Sequence, residues 1–132
     1  MIGGIIITHG PMAQAIIKAA ETILGKVIYL YGFSTTDLSL PSILEKLNKT
    51  LNEDDWPDNT LILVSLKGGS CWNAAITTKK QHQNVEVISG VNLSMVLSFL
   101  TKRDSHQLEE LATLVLEDGM RGIEKYQEDW LK

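Results

Sequence analysis

Apolar residues fall along this chain in blocks whose spacing changes from block to block. Ile2, Ile5, Ile6 and Ile7 crowd residues 2–8 and leave no alternating face for water, which predicts a strand buried on both sides. The run stops at Thr8-His9-Gly10-Pro11. From Met12 to Leu24 the positions Met12, Ala15, Ile16, Ala19, Ala20, Ile23 and Leu24 recur at helical spacing, with Pro11 in the first turn and Gly25 as the stop. Together they form one strand-helix unit. Val27 to Tyr31 reads as a second short strand, and the polar Gly32-Phe33-Ser34-Thr35-Thr36-Asp37 as a turn-prone loop long enough to be functional. Pro41 fits the first turn of a second helix to about Leu51, with Ile43, Leu44, Leu47 and Leu51 on one face.

The second half repeats the scheme. Leu61 to Leu66 resembles the first strand in pattern, and Lys67-Gly68-Gly69-Ser70 breaks it just before a helix predicted from Trp72 to Lys80. Val85 to Ile88 is a fourth strand, followed by Ser89-Gly90-Val91-Asn92 and a helix over Ser94 to Leu100. A last helix, roughly Gln107 to Tyr126, carries Leu108, Leu111, Ala112, Val115, Leu116, Met120 and Ile123 at spacings of three and four. Gly119 and Gly122 each cost about 1 kcal/mol against Ala in a helix interior, which weakens its second half and allows a break near residue 119. Strands alternating with helices imply an α/β fold, an open parallel sheet with helices on both faces. In the flavodoxin-like order 2-1-3-4, the first and third strands are neighbours where ligands bind such sheets, and His9 faces Lys67-Gly68-Gly69-Ser70 across a crevice.

Composition narrows the picture little. With 132 residues, 44% hydrophobic and 21% charged, the chain suits a single soluble domain over 1–132 that needs neither disulfide nor structural metal. A net charge of −4 without clustered Lys and Arg argues against nucleic acid. The lone Cys71 points to a reducing compartment, and neither a membrane-length apolar run nor a leader pattern is visible, so a cytoplasmic location is expected.

Candidate chemistry gathers at the two strand ends. A glycine pair before a helix lets backbone N–H groups approach an anion, and the helix N-terminus adds about half a positive charge. Lys67 and the Ser70 hydroxyl extend that cradle. The same residues also serve a plain tight turn in which Ser70 caps the helix, and spacing alone does not separate the two readings. A neutral His9 beside such a cradle can take a phosphoryl group on one ring nitrogen while the other donates its hydrogen to a fixed acceptor. Cys71 sits at a helix start, yet lacks a sequence-adjacent base and reads as a small packed residue. Trp72 and Phe33 read as core or partly buried, His82 and His106 as solvated, and Asp104, Glu109, Glu110 and Glu117 as a solvated helix face. No metal-ligand spacing occurs, and no cofactor is expected.

Three stretches together bring a family into view. Ile5-Ile6-Ile7-Thr8-His9-Gly10, Gly68-Gly69-Ser70-x-x-Asn73-Ala74-Ala75 and Val87-Ile88-Ser89-Gly90-Val91-Asn92-Leu93-x-Met95 resemble, in order and spacing, the IIA component of the mannose-type (mannose/fructose/sorbose) phosphoenolpyruvate-dependent sugar phosphotransferase system, over residues 1 to about 126. The resemblance implies a flavodoxin-like homodimer that accepts a phosphoryl group on His9 from the phosphocarrier protein HPr and passes it to a IIB component. It implies membrane association only indirectly, through IIC and IID components, and a C-terminal segment that crosses to the other subunit as an antiparallel edge strand. Gly10, Lys67, Gly68, Gly69 and Ser70 are the phosphoryl-binding candidates.

The chain departs from the family pattern at three places. Ser65 stands where the family usually carries the Asp that holds the second histidine nitrogen, Lys67 where transport members usually carry Trp, and Cys71 where Pro follows Gly-Gly-Ser. Serine can accept the imidazole N–H but brings no charge to stabilise imidazolium character, so slower phosphorylation is expected. Lys67 acts in the other direction by neutralising a phosphoryl group. These departures leave a rival reading: a regulatory phosphoacceptor or anion-binding module without sugar transport. A small-ligand or nucleotide binder is a third, for which no Walker-type or dinucleotide glycine pattern exists.

Overall fold

The unalternating isoleucines of the first strand follow from its place in the sheet. In the computed structural model, which describes residues 1–128, strand β1 (Gly3–Thr8) lies between β2 (Leu30–Ser34) and β3 (Thr60–Val64), with β4 (Val85–Ser89) beyond β3. All three pairings are parallel, in the order β2-β1-β3-β4. The connections hold helices α1 (Met12–Leu24), α2 (Leu40–Leu51) and α3 (Ser70–Gln81), and α4 (Leu93–Lys102) and α5 (Leu108–Arg121) follow β4. This is the α/β, flavodoxin-like sheet expected from the alternation of strands and helices.

Successive side chains of a strand enter opposite layers. Ile6, Leu61, Leu63 and Ile88 pack with Ala13, Ala20, Met95, Phe99, Leu111 and Val115 on the face covered by α1, α4 and α5. Ile5, Ile7, Ile62, Val64 and Val85 pack with Ile43, Leu47, Cys71, Ala74 and Ala75 on the face covered by α2 and α3. Each large aliphatic side chain so buried contributes about 1.5–3 kcal/mol of transfer free energy, so the central strands anchor both layers.

Parallel pairing brings all four carboxyl ends to one edge and extends beyond the strands themselves. The Ser65 N–H donates to the Ile7 carbonyl (3.1 Å), Val91 N–H to Val64 (3.0 Å) and Thr35 N–H to Thr8 (3.0 Å). The loop that carries Lys67 to Ser70 is therefore tied to β1 at its first residue, Ser65.

Two elements, β2 and α5, differ most from the sequence expectation. β2 begins three residues later than expected, because Tyr29 adopts φ 54 and interrupts any extended run through Val27–Tyr31. Gly32 and Phe33, expected in the loop, are buried strand residues. α5 passes through Gly119 but stops at Arg121, with Gly122 at its cap, five residues short of the expected Tyr126. The absence of a side chain at Gly119 lets Met95 of α4 pack against it, and Asn92, which caps α4, donates from Nδ2 to the Gly119 carbonyl (3.1 Å). That packing offsets the helix penalty. Residues 123–127 of the single chain lie outside any strand, and of the C-terminal edge strand implied by the resemblance, residues 129–132 lie outside the described residues. Among the described residues no helix is long and apolar enough to cross a membrane.

Candidate functional site

His9 stands on the first residue after β1, and both of its neighbours are fixed. Thr8 is buried, and its Oγ1 accepts from the Ala13 N–H at 2.8 Å, supplying a side-chain bond to the first turn of α1 that Pro11, the residue at the cap, does not provide. Gly10 turns the chain with φ 61, a left-handed conformation suited to glycine, and donates its N–H to Thr36 Oγ1 at 3.1 Å. Thr36 is itself held by Ser34, whose hydroxyl donates to Thr36 Oγ1 (2.8 Å) and accepts from the Thr36 N–H (3.0 Å). The imidazole thus projects, exposed, from a pinned backbone.

The ring is oriented from the neighbouring strand. His9 Nδ1 lies 3.1 Å from Ser65 Oγ, on the half-buried residue that follows β3. Buried Cys71 approaches the same pair, with Sγ 3.8 Å from Nδ1 and 3.9 Å from Ser65 Oγ. On the opposite edge the ring faces Gly69, where an added Cβ would lie 3.5 Å from Cε1 and 3.7 Å from Nε2. Among the described residues, Nε2 of His9 has no hydrogen-bond partner.

Gly69 is also the N-cap of α3, with extended backbone and no side-chain cap. The first-turn N–H groups of α3 are therefore uncapped by any side chain, and the positive end of the helix dipole begins at Gly69, next to Cε1 and Nε2 of His9. Gly68 holds the preceding turn with φ 86, a value that strains any other L residue. A histidine with one nitrogen engaged and the other open beside an uncapped helix N-terminus can form a bond to phosphorus while the helix end stabilises the anion.

Of the candidates read from the sequence, His9, Ser65 and Gly69 come together. Gly68 shapes their turn and Gly10 is fixed through Thr36. Lys67 and Ser70 are exposed on the same turn, with no hydrogen bond or ion pair to His9 among the described residues. Ser70 is the first residue of α3 rather than its cap, because Gly69 takes the cap geometry. His82 and His106 are half-buried rather than solvated: His82 Nε2 lies 3.4 Å from Asn48 Oδ1, and His106 Nδ1 lies 3.0 Å from the Lys102 carbonyl. Phe33 is buried and Trp72 half-buried. Cys71 is packed and buried as the sequence suggests, but its sulphur also reaches the polar pair of His9 and Ser65; Thr36 carries no sequence signal beyond its place in a polar loop after β2. No group of three potential metal ligands occurs among the described residues.

The site is a surface. A hollow of about 520 Å³ lies at the opposite end of the sheet, lined by residues such as Trp56, Asp58, His82 and Asn84, and does not include His9. An exposed imidazole on an open edge suits reaction with another macromolecule better than enclosure of a small substrate.

Residues 3–116 match the family model described as "PTS system fructose IIA component". The chain belongs to this family. It is similar to the PTS system mannose-specific EIIAB component of Escherichia coli strain K12, with 33% identity over 123 residues, 88% of this chain and 36% of the relative. It is also similar to the PTS system sorbose-specific EIIA component of Klebsiella pneumoniae, with 28% identity over 84% of this chain and 82% of the relative. The crystal structure of phosphotransferase system component EIIA from Streptococcus agalactiae shares the fold with a TM-score of 0.86 and 25% identity, covering 95% of this chain and 97% of that one. The chain is thus a member of the mannose-type IIA family of the phosphotransferase system. The chain spans about a third of the length of the mannose-specific EIIAB relative.

Proposed function

We propose that this IIA component is a phosphoryl carrier that accepts a phosphoryl group on His9 from HPr and passes it to a IIB component. The observation that carries the reading is the His9 ring itself, engaged at Nδ1 by Ser65 and open at Nε2 beside the uncapped start of α3. In the first step the Nε2 lone pair attacks phosphorus, the Nε2–P bond forms and the bond from phosphorus to the donor atom breaks. The ring proton stays on Nδ1, held by Ser65 Oγ. In the second step an acceptor atom of IIB attacks phosphorus, the Nε2–P bond breaks and its electron pair returns to the ring.

Gly10, Lys67, Gly68, Gly69 and Ser70 form the phosphoryl-binding surface in this reading, with Lys67 supplying the full positive charge and backbone N–H groups the directed bonds. Ser65 contributes orientation without charge. The domain acts as one IIA unit over residues 1–132, in a cytoplasmic homodimer, and meets the membrane only through IIC and IID components.

Incubation with phosphoenolpyruvate, enzyme I and HPr is expected to give an adduct that is labile in acid and stable in base. No labelling of the wild type, under conditions that label another mannose-type IIA protein, would refute the carrier reading.

A second reading has one observation in its favour: the neutral Ser65 at the histidine. A regulatory phosphoacceptor without sugar transport needs no rapid turnover. Neighbouring genes for IIB, IIC and IID components favour transport, and a neighbouring kinase or transcription regulator favours regulation.

A further inference from the structure

A carboxylate beside a histidine can only accept a hydrogen bond, whereas a serine hydroxyl both donates and accepts. Ser65 taken alone therefore suits either neutral tautomer of His9. With the ring proton on Nδ1, Nε2 has a free lone pair; with the proton on Nε2, that nitrogen cannot attack phosphorus. The tautomer is decided by where the Ser65 proton goes.

Cys71 Sγ is placed to take it. The sulphur is 3.9 Å from Ser65 Oγ, within hydrogen-bond reach for sulphur, and on its other side meets the buried Thr35 Oγ1 at 3.5 Å. The thiol belongs to the apolar layer of Ile5, Ile7 and Val64, yet its sulphur reaches three polar atoms on three different loops or turns. An alanine would fill much of that layer without offering an acceptor.

We infer that Cys71 is a positioning residue that sets the tautomer of His9 through Ser65. The Ser65 hydroxyl donates to Cys71 Sγ, the thiol donates to Thr35 Oγ1, and Ser65 Oγ is left to accept from Nδ1–H. The chain of bonds gives a neutral serine the acceptor-only behaviour of a carboxylate. The inference rests on the reading that His9 reacts through Nε2, but its primary readout is the ring and not the reaction.

The test is ¹⁵N NMR of the histidine ring nitrogens in the full chain, at a pH where His9 is neutral, with its signals identified by their loss in His9→Gln. Wild type is expected to carry the proton on Nδ1, Cys71→Ala to lose that preference, and Cys71→Ser, which keeps an acceptor, to retain it. The rate of phosphorylation by HPr is expected to fall about fivefold in Cys71→Ala, the worth of one modest hydrogen bond, and to recover in Cys71→Ser. A wild-type ring protonated on Nε2, or a tautomer unchanged in Cys71→Ala, overturns the inference. Loss of the preference in both variants also overturns it, since altered packing then suffices. The expected tautomers in a protein that HPr never labels would uphold the role of Cys71 and refute the carrier reading.

Discussion

Nδ1 of His9 and Oγ of Ser65 lie 3.1 Å apart, a single contact that joins the ends of adjacent strands across 56 residues of sequence. Because the contact is neutral, replacing the hydroxyl by a carboxylate strengthens it. Hydrogen bonds to an ionised acceptor are roughly twice as strong as neutral ones, so Ser65→Asp is expected to raise the rate of phosphorylation by HPr about three- to tenfold. Rapid-quench kinetics measures it. An unchanged rate would contradict the role given to position 65.

Gly69 tests the other edge of the ring. Its backbone is extended, so alanine brings no conformational strain, and the new methyl would sit in ordinary contact with Cε1 and Nε2 of His9. In the proposed reading the methyl stands where the phosphoryl group approaches. Gly69→Ala is expected to leave stability within about 0.5 kcal/mol and to slow phosphorylation on the order of tenfold or more. Thermal melts and labelling kinetics on one preparation separate the two effects.

Arg103 tests the scaffold away from the site. Its buried guanidinium donates to the carbonyls of Ile28 (2.8 Å), Ile2 (3.4 Å) and Tyr29 (3.4 Å), clamping the chain just before β1 and β2. Burial pulls its pKa below the ordinary value, with nearby Asp104 acting in opposition. Arg103→Met leaves those carbonyls without their donor and is expected to destabilise the fold by about 2–3 kcal/mol in urea titration. Labelling of the folded variant should persist.

Asp118 governs a pH dependence between α4 and α5. Hydrogen bonds from Lys102 and from Ser98 (2.6 Å) are the main reasons its carboxyl is held below its ordinary value of 3.8, with the charges of Lys102 and Arg121 adding to them and partial burial opposing. A carboxyl depressed in the folded state contributes stability above its unfolded pKa and loses it as pH falls through the folded one. Asp118→Asn is therefore expected to melt below wild type at pH 7, with the gap closing as pH falls below about 4. A gap independent of pH would contradict this assignment.

Much of this architecture is legible in the residues because its signals are local. The bounds of α1 follow from apolar spacing between Pro11 and Gly25, and the doubly buried β1 from isoleucines that leave no polar face. The apolar run Val27–Tyr31 conceals the left-handed turn at Tyr29, so the start of β2 shows only in its pairing with β1. Gly119 was legible as a weak helix residue, but its partner Met95 lies on another helix. The same holds at the site. His9 and the glycine turn are visible as strand ends, whereas the Thr36 bond to Gly10 and the sulphur beside Ser65 exist only once three strand ends share an edge.

Nε2 of His9 is the atom proposed to carry the phosphoryl group. Its most direct test is the ³¹P NMR spectrum of the protein after incubation with phosphoenolpyruvate, enzyme I and HPr. The expected result is one phosphoramidate resonance assigned to Nε2 of His9 and absent from His9→Ala. The contrary result is a resonance that survives in His9→Ala, or one that arises from Nδ1.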